Sequence, residues 1–313
     1  MAAPTSAPLL SQTLLSKLAC PHCRHSLELK EDRDGGEGHD ATPGRTGSPA
    51  LRCSACGRRF PIQDGIPLLF PEERPADWAA TQKALYDGIA PHYDGSIPAH
   101  VAAHYLTKRV DVVTGLAPHG AAVLDVGCGT GTLARAIALA GYDVYGLDAS
   151  TGMLAQLAVA TTSGAGRGQP VAGFGERLPF ADGAFDLAIT VATLHHITDR
   201  GRIAATIGEM CRVTRAGGHV VIWDHNPKNP YWPLLMKRVP QDTGEERLVP
   251  QEEIVADLRA AGVTTMRAHR SGLVPDFTPP PLLGLARAVE RVVEATPGLN
   301  IFCAHNVVVA YKR

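Results

Sequence analysis

The chain has 313 residues, of which 45% are hydrophobic and 19% charged, which is typical of a soluble globular protein with about two domains. Its 30 Lys and Arg residues are balanced by 31 Asp and Glu residues, so no overall field attracts phosphate backbones or anionic lipid. The amino terminus lacks the pattern of a signal peptide, and no stretch holds the roughly 20 apolar residues of a membrane span. We therefore expect a soluble, cytoplasmic protein without a membrane partner.

Four of the seven cysteines form two C-x-x-C pairs near the amino terminus, Cys20 with Cys23 and Cys53 with Cys56. Each pair can present two thiolates to one ion, and the two pairs together predict a closed, structural zinc site. The polar tract 31–49 between the pairs is predicted to be a flexible excursion. The alternative is four cysteines without metal. His22 and His25 are expected to be exposed rather than ligating, and Cys128, Cys211 and Cys303 to be buried small side chains.

The segment after the second pair, 58–69, predicts a strand, a turn at Asp64-Gly65 and a second extended stretch. With the cysteine pairs, residues 14–70 resemble the zinc-ribbon family of methyltransferase activator proteins. The resemblance implies a docking role for this region, and we expect its core to be separate from that of the rest of the chain. We predict a ribbon over 14–70, a linker and amino-terminal cap helices over 71–118, and a catalytic domain over 119–313.

Beyond the linker, the pattern is mainly helical from Trp78 to Val113, with breaks near Pro91 and Pro98. Short apolar runs then alternate with amphipathic helices, which indicates a parallel α/β sheet. The predicted strands are 121–126, 142–147, 185–191, 219–223, 263–269 and 307–311.

A glycine-rich turn follows the first of these strands, in Val123-Leu124-Asp125-Val126-Gly127-Cys128-Gly129-Thr130-Gly131. The G-x-G-x-G spacing and the acidic Asp125 favour the ammonium group of a methionine moiety over the pyrophosphate of a dinucleotide. A dehydrogenase remains the alternative enzyme class. Asp148, at the end of the second strand, is placed to bind ribose hydroxyls, or else to act as a turn or capping aspartate. Ser150 is predicted to cap the next helix.

Residues 79–313 resemble the class I S-adenosylmethionine-dependent methyltransferases through the glycine turn and through the stretches 89–94, 178–187, 193–197 and 215–218. The resemblance implies a Rossmann-like, doubly wound, seven-stranded sheet whose last strand is antiparallel. It also implies a site for S-adenosylmethionine in which Asp125 and three glycines line the methionine end and Asp148 holds the ribose. The implied cofactor residues are Tyr93, Arg109, Asp125, Gly127, Gly129, Gly131, Asp148, Ala149, Met153, Phe174 and Gly175, with Lys108 beside Arg109 near the carboxylate.

One position departs from the family pattern, because Phe174 stands where many relatives have an acidic residue that bonds to the adenine amino group. We therefore expect adenine to be held by stacking and by backbone contacts, unless the alignment is shifted by one or two residues.

The candidates for a general base are His195, His196 and His225, which follow predicted strands at the edge where ligands bind. Structural roles are the alternative for each of them. Tyr231, Trp232 and the segment 277–281 are candidates for an apolar acceptor pocket or for ordinary packing.

Two acceptor classes compete, a small molecule and an RNA docked by the ribbon. Residues 14–70 contain eight Lys and Arg against seven Asp and Glu, which offers no strong phosphate track. The sequence therefore favours a small-molecule acceptor, and a non-catalytic binding subunit is the remaining alternative.

Overall fold

The computed structural model describes residues 10–30, 49–72, 77–95, 97–162, 168–232 and 246–313. The predicted excursion lies outside these residues except for Pro49, and the predicted linker lies partly outside them.

The amino-terminal module combines one helix with a four-stranded antiparallel sheet in the order β1-β2-β3-β4. Its elements are α1 (Gln12–Lys17), β1 (Leu27–Lys30), β2 (Ala50–Cys53), β3 (Arg59–Gln63) and β4 (Ile66–Pro67). Asp64 and Gly65 both have positive φ, at 51° and 78°, which is the backbone of a tight two-residue hairpin turn. The strand-turn-strand prediction is confirmed.

Two helices connect this module to the main sheet, α2 (Asp77–Ile89) and α3 (Ala99–Leu116), with a 3₁₀ turn over Ala90–Gly95 between them. The break follows from Pro91 and Pro98, since proline removes a backbone donor and is accepted only in the first turn of a helix.

The main sheet has seven strands in the order β10-β11-β9-β8-β5-β6-β7. Only β11 is antiparallel to its neighbours, β9 and β10, as the resemblance implied. The elements are β5 (Ala122–Val126), α4 (Thr132–Leu139), β6 (Asp143–Asp148), α5 (Thr151–Thr162), β7 (Gly168–Ala172), β8 (Phe185–Val191), α6 (Arg200–Val213), β9 (Thr214–His225), α7 (Gln251–Ala260), β10 (Thr265–Ser271), α8 (Leu283–Ala295) and β11 (His305–Tyr311).

Strand β7 was not predicted from the sequence, because it contains Gly168 and Pro170 and has no apolar run. Proline is tolerated at the edge of a sheet, and β7 is the last strand on its side. The ribbon continues the sheet beyond it, since Leu68 forms a parallel bridge with Ala172 and the Leu69 amide donates to the Ala172 carbonyl at 2.8 Å.

The ribbon does not have a separate core, so that expectation was wrong. Leu14, Leu18 and Phe60 belong to the same buried apolar cluster as Phe180 and Phe185 of the main sheet region. Two backbone hydrogen bonds fasten α1 to the Leu178–Phe180 loop, from the Ala19 amide to the Pro179 carbonyl and from the Ala181 amide to the Lys17 carbonyl. The physical reason is that a ribbon of this size buries too little apolar surface alone and shares that of its neighbour.

Candidate active site and metal centre

The glycine turn after β5 brings the backbone close to two other elements. Gly127 has φ +74°, and a Cβ there would lie 2.3 Å from the Thr193 side chain. A Cβ on Gly131 would lie 2.5 Å from Leu157 of α5. Gly129 has φ +54°, and a Cβ there would meet no atom within 4 Å, so its side opens onto the cleft described below. The turn therefore needs glycine for packing at its two ends and leaves free space at its centre.

Asp148 ties this turn to the end of β6. Its carboxylate accepts hydrogen bonds from the backbone amides of Gly129 and Ser150, each at 2.8 Å. Burial raises the pKa of Asp148, and the amides of Ser150 and Gly129 oppose that shift. The Ser150 hydroxyl caps α5 by accepting from the Met153 amide at 3.1 Å, which confirms the predicted cap. Asp148 thus makes the contacts expected of a turn or capping aspartate, and it also lines the cleft.

The amino-terminal helices form the opposite wall of the cleft. Asp94 accepts hydrogen bonds from the hydroxyls of Thr130 and Thr132, next to the glycine turn. Asp87 of α2 accepts from the Ser150 hydroxyl and the Gly152 amide at the start of α5. These contacts hold the cap helices over the carboxyl ends of β5 and β6.

The resulting cleft lies at the carboxyl edge of the parallel strands, where ligands bind in open α/β sheets. Phe174 lies in its wall, with its ring centroid 5.0 Å from that of Phe70 at the end of the ribbon. Glu176 is also in the wall, but its carboxylate pairs with Arg202. The residues that line the cleft include Lys83, Tyr86, Tyr93, Gly127, Gly129, Asp148, Ala149, Ser150, Met153, Gly173, Phe174, Gly175, Glu176, Ala192, Thr193, His196 and Arg202.

A cluster of histidines adjoins the cleft around the buried Asp224. The Asp224 carboxylate accepts from His195 Nδ1 at 2.7 Å and from the backbone amides of Leu194 and His225. Burial opposes ionisation of Asp224, but His195 and these amides lower its pKa. Asp224 is therefore a carboxylate, and it fixes the proton of His195 on Nδ1.

The other histidines of the cluster are neutral at neutral pH. Burial, reinforced by His195, lowers the pKa of His196 and of His225 well below the usual value. Burial also lowers the pKa of His305 to about 3, with Arg109 adding to the effect. Only His196 lines the cleft, and its Nε2 lies 2.9 Å from the Tyr86 hydroxyl. His195 lies directly behind it, with ring centroids 4.0 Å apart.

The ligand atoms of His195, Asp224 and His225 lie within 4.8 Å of one another, which is close enough for a metal ion. The Asp224 oxygens, however, already accept hydrogen bonds from His195 and from three backbone amides. We therefore treat this group as a hydrogen-bonded acid–base cluster.

The four ribbon cysteines converge on one point. All four Sγ atoms lie within 4.8 Å of one another, with Cys20 and Cys56 at 3.7 Å and Cys23 and Cys53 at 3.3 Å. Tetrahedral Zn–S bonds of about 2.3 Å require sulfur atoms about 3.8 Å apart, so the set fits a closed zinc site. His22 and His25 are exposed and do not join it. Cys211 and Cys303 are buried, as expected, and Cys128 is partly buried.

Two family models match the chain. The model described as a methyltransferase domain matches residues 124–222, and the model described as a Trm112p-like protein matches residues 11–65. Among curated relatives, a demethylmenaquinone methyltransferase of Renibacterium salmoninarum is 35% identical over 54% of this chain and 70% of its own length. One of Parafrankia sp. is 37% identical over 48% of this chain and 63% of its own length. The chain belongs to the S-adenosylmethionine-dependent methyltransferases.

Solved structures agree in fold. A methyltransferase of Thermotoga maritima, 19% identical, superposes with a TM-score of 0.55 over 74% of this chain and all of that one. A complex of the Haloferax volcanii Trm112 methyltransferase activator with a methyltransferase, 19% identical, gives 0.51 over 72% of this chain and 96% of that one. In the present protein, the residues that match the Trm112p-like model and those that match the methyltransferase domain belong to one chain.

Most of the predicted cofactor residues of this methyltransferase lie in the cleft, namely Tyr93, Gly127, Gly129, Asp148, Ala149, Met153, Phe174 and Gly175. Three others lie behind its wall. Gly131 packs under α5, Asp125 is 2% exposed, and Arg109 is partly buried with its guanidinium carbon 5.9 Å from the Trp223 ring. Lys108 is placed away from the cleft, because its ammonium pairs with Glu290 and Glu294.

Several cleft residues were not predicted from the sequence. Tyr86 and Lys83 reach the cleft from α2. Thr193 packs on the glycine turn, and its hydroxyl donates a hydrogen bond to the Gly127 carbonyl at 3.3 Å. Ala192, between β8 and Thr193, has φ +52°, an unfavourable backbone for a residue with a Cβ. A positive φ at alanine carries no sequence signal, and the α2 contacts depend on how distant segments pack.

Proposed function

We propose that this methyltransferase transfers the methyl group of S-adenosylmethionine to a small organic acceptor, with His195 accepting the acceptor's proton. The observation that carries the proposal is the His195–Asp224 pair beside a cleft lined by the glycine turn and Asp148. The bond between the methyl carbon and sulfur breaks, a bond from the acceptor to that carbon forms, and the acceptor's proton goes to His195.

The cleft residues suit the cofactor on chemical grounds. The open side of Gly129 admits close backbone contact, the Asp148 carboxylate offers oxygens to the two ribose hydroxyls, and the Phe174 ring offers a stacking face to adenine. When bound there, S-adenosylmethionine supplies an electrophilic methyl group on a positively charged sulfur. The residues of the chain then act chiefly by positioning the acceptor in line with that methyl group.

His195 is 2% exposed and lies behind His196, but its pairing with Asp224 suits it better than its neighbours to carry a proton. Asp224 holds its ring with Nδ1 protonated, which leaves Nε2 free to act as a base, and the carboxylate stabilises the resulting positive charge. His196 and His225 face strong burial penalties on the charged form, as their lowered pKa values show. We assign His196, which is bonded to Tyr86, to the wall of the acceptor site, and His225 to the packing behind it, between His195 and Trp232.

The state of the ribbon's cations supports a small acceptor over RNA. Arg24 pairs with Glu209, Arg58 with Glu72 and Lys30 with Glu28, while the Lys17 ammonium bonds to the Ala184 carbonyl. Cations engaged in this way offer less to a phosphate backbone. Arg52 and Arg59 remain exposed, and Arg33 and Arg45 lie outside the described residues. The names of the curated relatives favour a quinone-type acceptor in its reduced, hydroxyl-bearing form.

The test is methyl transfer from tritiated S-adenosylmethionine to reduced demethylmenaquinone, with total RNA as the competing acceptor. We expect label in the quinone fraction and none in RNA. His195→Asn should lower turnover by about 10²–10⁴-fold, the usual contribution of a general base, and should leave cofactor affinity unchanged. His119→Asn, a histidine that packs on Tyr142 away from the cleft, is the matched control. Label in RNA alone, or full turnover by His195→Asn, would refute the proposal.

A further inference from the structure

The Glu176 carboxylate lines the cleft with one of its two oxygens unpaired. Its Oε1 accepts two hydrogen bonds from Arg202, from Nε at 2.8 Å and from Nη2 at 2.5 Å. Its Oε2 accepts none from any residue that the structure describes, although the side chain is only 19% exposed. Because an ionised carboxylate can accept at both oxygens, a partly buried one with a free oxygen suits a ligand that donates a hydrogen bond.

Arg202 holds this carboxylate in place from the first turn of α6. The backbone amide of Arg202 donates to the Asp199 side chain at 2.8 Å, which caps the helix. The Arg202 guanidinium also lines the cleft and balances the charge of Glu176. Since two nitrogen atoms of the arginine bond to Oε1, the free Oε2 is held at a defined position.

Glu176 lies in the same short turn as the aromatic ring that we assign to the nucleobase. The turn follows β7 and spans Gly175–Arg177, with Phe174 immediately before it. The Gly173 amide donates to the Asp148 carbonyl at 3.0 Å, so the segment that leads into the turn starts beside the residue that we assign to the ribose. A nucleoside with its ribose at Asp148 and its base on Phe174 therefore presents the edge of the base near Glu176.

The chemistry of the free oxygen selects among nucleobases. A carboxylate oxygen accepts hydrogen bonds and cannot donate them. The exocyclic amino group of adenine donates, whereas a carbonyl oxygen at the same position of the ring would face a second acceptor. A site that bonds a donor of its ligand rejects an analogue without that donor, because the polar group of the site is then left unpaired. The Glu176 carboxylate thus favours a nucleobase that carries an amino group.

We propose that Glu176 recognises the nucleobase of the cofactor by accepting a hydrogen bond from its amino group through Oε2, and that Arg202 is a positioning residue for this contact. The inference rests on the cofactor site of the proposed function and adds an edge contact to the stacking on Phe174. Position 174, where many relatives have an acidic residue, carries an aromatic ring here. The carboxylate comes instead from two residues further along the chain, and it is held by α6.

The methyl acceptor is the competing partner of the free oxygen, because hydroxyl groups also donate. Glu176, however, is two residues from Phe174 in the turn that leaves β7. The proposed proton acceptor, His195, follows β8, and β5 and β6 separate β8 from β7 in the sheet. This placement favours the nucleobase over the acceptor.

The test is calorimetric titration of the whole protein with S-adenosylhomocysteine and with its desamino analogue, in which hydrogen replaces the amino group of the base. The wild type should bind S-adenosylhomocysteine at least about tenfold more tightly, as expected for a hydrogen bond to a charged group. Glu176→Ala should bind both compounds equally, and Glu176→Gln, with a neutral acceptor, should show an intermediate preference. Asp182→Asn is the matched control, because Asp182 pairs with Arg212 at the other end of α6, and it should keep the wild-type preference.

Two variants of Arg202 test its positioning role. Arg202→Gln should reduce the preference for S-adenosylhomocysteine, because the Glu176 carboxylate is no longer held, and Arg202→Lys should recover part of it. An arginine that only supports the fold would change the affinities for both compounds by the same factor and leave the preference unaltered, which would overturn the positioning role.

Equal binding of the two compounds by the wild type would overturn the inference, and so would an unaltered preference in Glu176→Gln. An unaltered preference with a raised KM for the acceptor would place the carboxylate at the acceptor instead. If Glu176→Ala fails to fold, Glu176→Gln decides the matter.

The titrations require no acceptor, so they separate this inference from the proposed function. Absence of methyl transfer to the quinol with a normal nucleobase preference would refute only the acceptor assignment. Failure of the wild type to bind either compound would refute the cofactor site and this inference together.

Discussion

Asp148 is the residue on which the proposed cofactor site depends most, because it joins the glycine turn to the start of α5 and faces the cleft. Asp148→Ala should lower the affinity for S-adenosylmethionine at least tenfold, since a hydrogen bond to a charged group contributes about 1.5–3 kcal/mol and about 1.4 kcal/mol corresponds to that factor. The loss of two backbone contacts should also lower the thermal midpoint without ligand. Calorimetric titration and thermal unfolding measure the two effects.

The matched control for this prediction is Asp143→Ala, at the exposed start of the same strand. It should leave the affinity unchanged. An Asp148→Ala protein that is less stable but binds the cofactor normally would show that the carboxylate serves only the turn.

Asp125 should make cofactor binding depend on pH. Burial, with the charge of Asp148, raises the pKa of Asp125 to about 7, whereas Arg109 opposes the shift. A bound ammonium group nearby favours the ionised form, so below this pKa binding must first remove a proton. The affinity should therefore fall by up to about tenfold per pH unit as the pH drops from 7 towards 6. Titrations at several pH values measure this slope, and Asp125→Asn should abolish it; an equal slope in both proteins would place the ammonium elsewhere.

Residues whose role depends on local geometry were predicted from the sequence, and residues whose role depends on distant packing were not. The glycine turn, the Ser150 cap and the cysteine pairs are each set by short spacings along the chain. Tyr86 and Thr193 line the cleft, and Asp87 bonds to the start of α5, through contacts across 60 or more positions that no periodicity reveals. The position of the Lys108 ammonium likewise depends on Glu290, which is far away in the chain.

At the scale of elements, the ribbon and the main sheet behave as one packed unit. Leu68 extends the sheet at β7, α1 binds the Leu178–Phe180 loop, and Phe70 packs against Phe174 in the cleft wall. A change in the ribbon should therefore alter the affinity of the proposed cofactor site.

Replacing Cys20 and Cys53 with Ser tests this coupling. The wild type should carry about one zinc per chain and the variant none, because the binding energy of such a site is largely folding energy. The variant should unfold at a lower temperature and bind S-adenosylmethionine more weakly, since Phe70 loses its support. Metal analysis, calorimetry and thermal unfolding provide the three readings.

Variants of His22 and His25 are the controls for the ribbon, because both imidazoles are exposed outside the cysteine cluster. His22→Ala and His25→Ala should each keep the zinc. A cysteine variant that loses zinc but keeps wild-type stability and cofactor affinity would contradict the shared core.

Most of the strands that the sequence predicted have apolar runs and are buried on both faces of the sheet. The exception is β10, which was predicted although it is mostly exposed and lies at one end of the sheet. Strand β7 was not predicted because it contains a glycine and a proline, which its position at the end of the sheet tolerates. The seven strands and the antiparallel direction of the last one came from the family resemblance and not from periodicity, and the position of β11 between β9 and β10 was not predicted.

Over the whole molecule, the functional features gather at one edge of the main sheet. The carboxyl ends of β5, β6, β8 and β9 carry the glycine turn, Asp148, the Thr193 turn and the histidine cluster, and the loops that lead into and out of α8 meet the same edge. The central claim is that this edge holds S-adenosylmethionine with its reacting end directed towards His195.

The most direct test is a crystal structure with S-adenosylhomocysteine bound. We expect adenine against Phe174, the ribose hydroxyls on the Asp148 carboxylate, and the sulfur on the side of the cleft formed by Thr193 and His196, with His195 behind them. A nucleoside bound elsewhere, or one whose sulfur points away from the histidine cluster, would contradict the account.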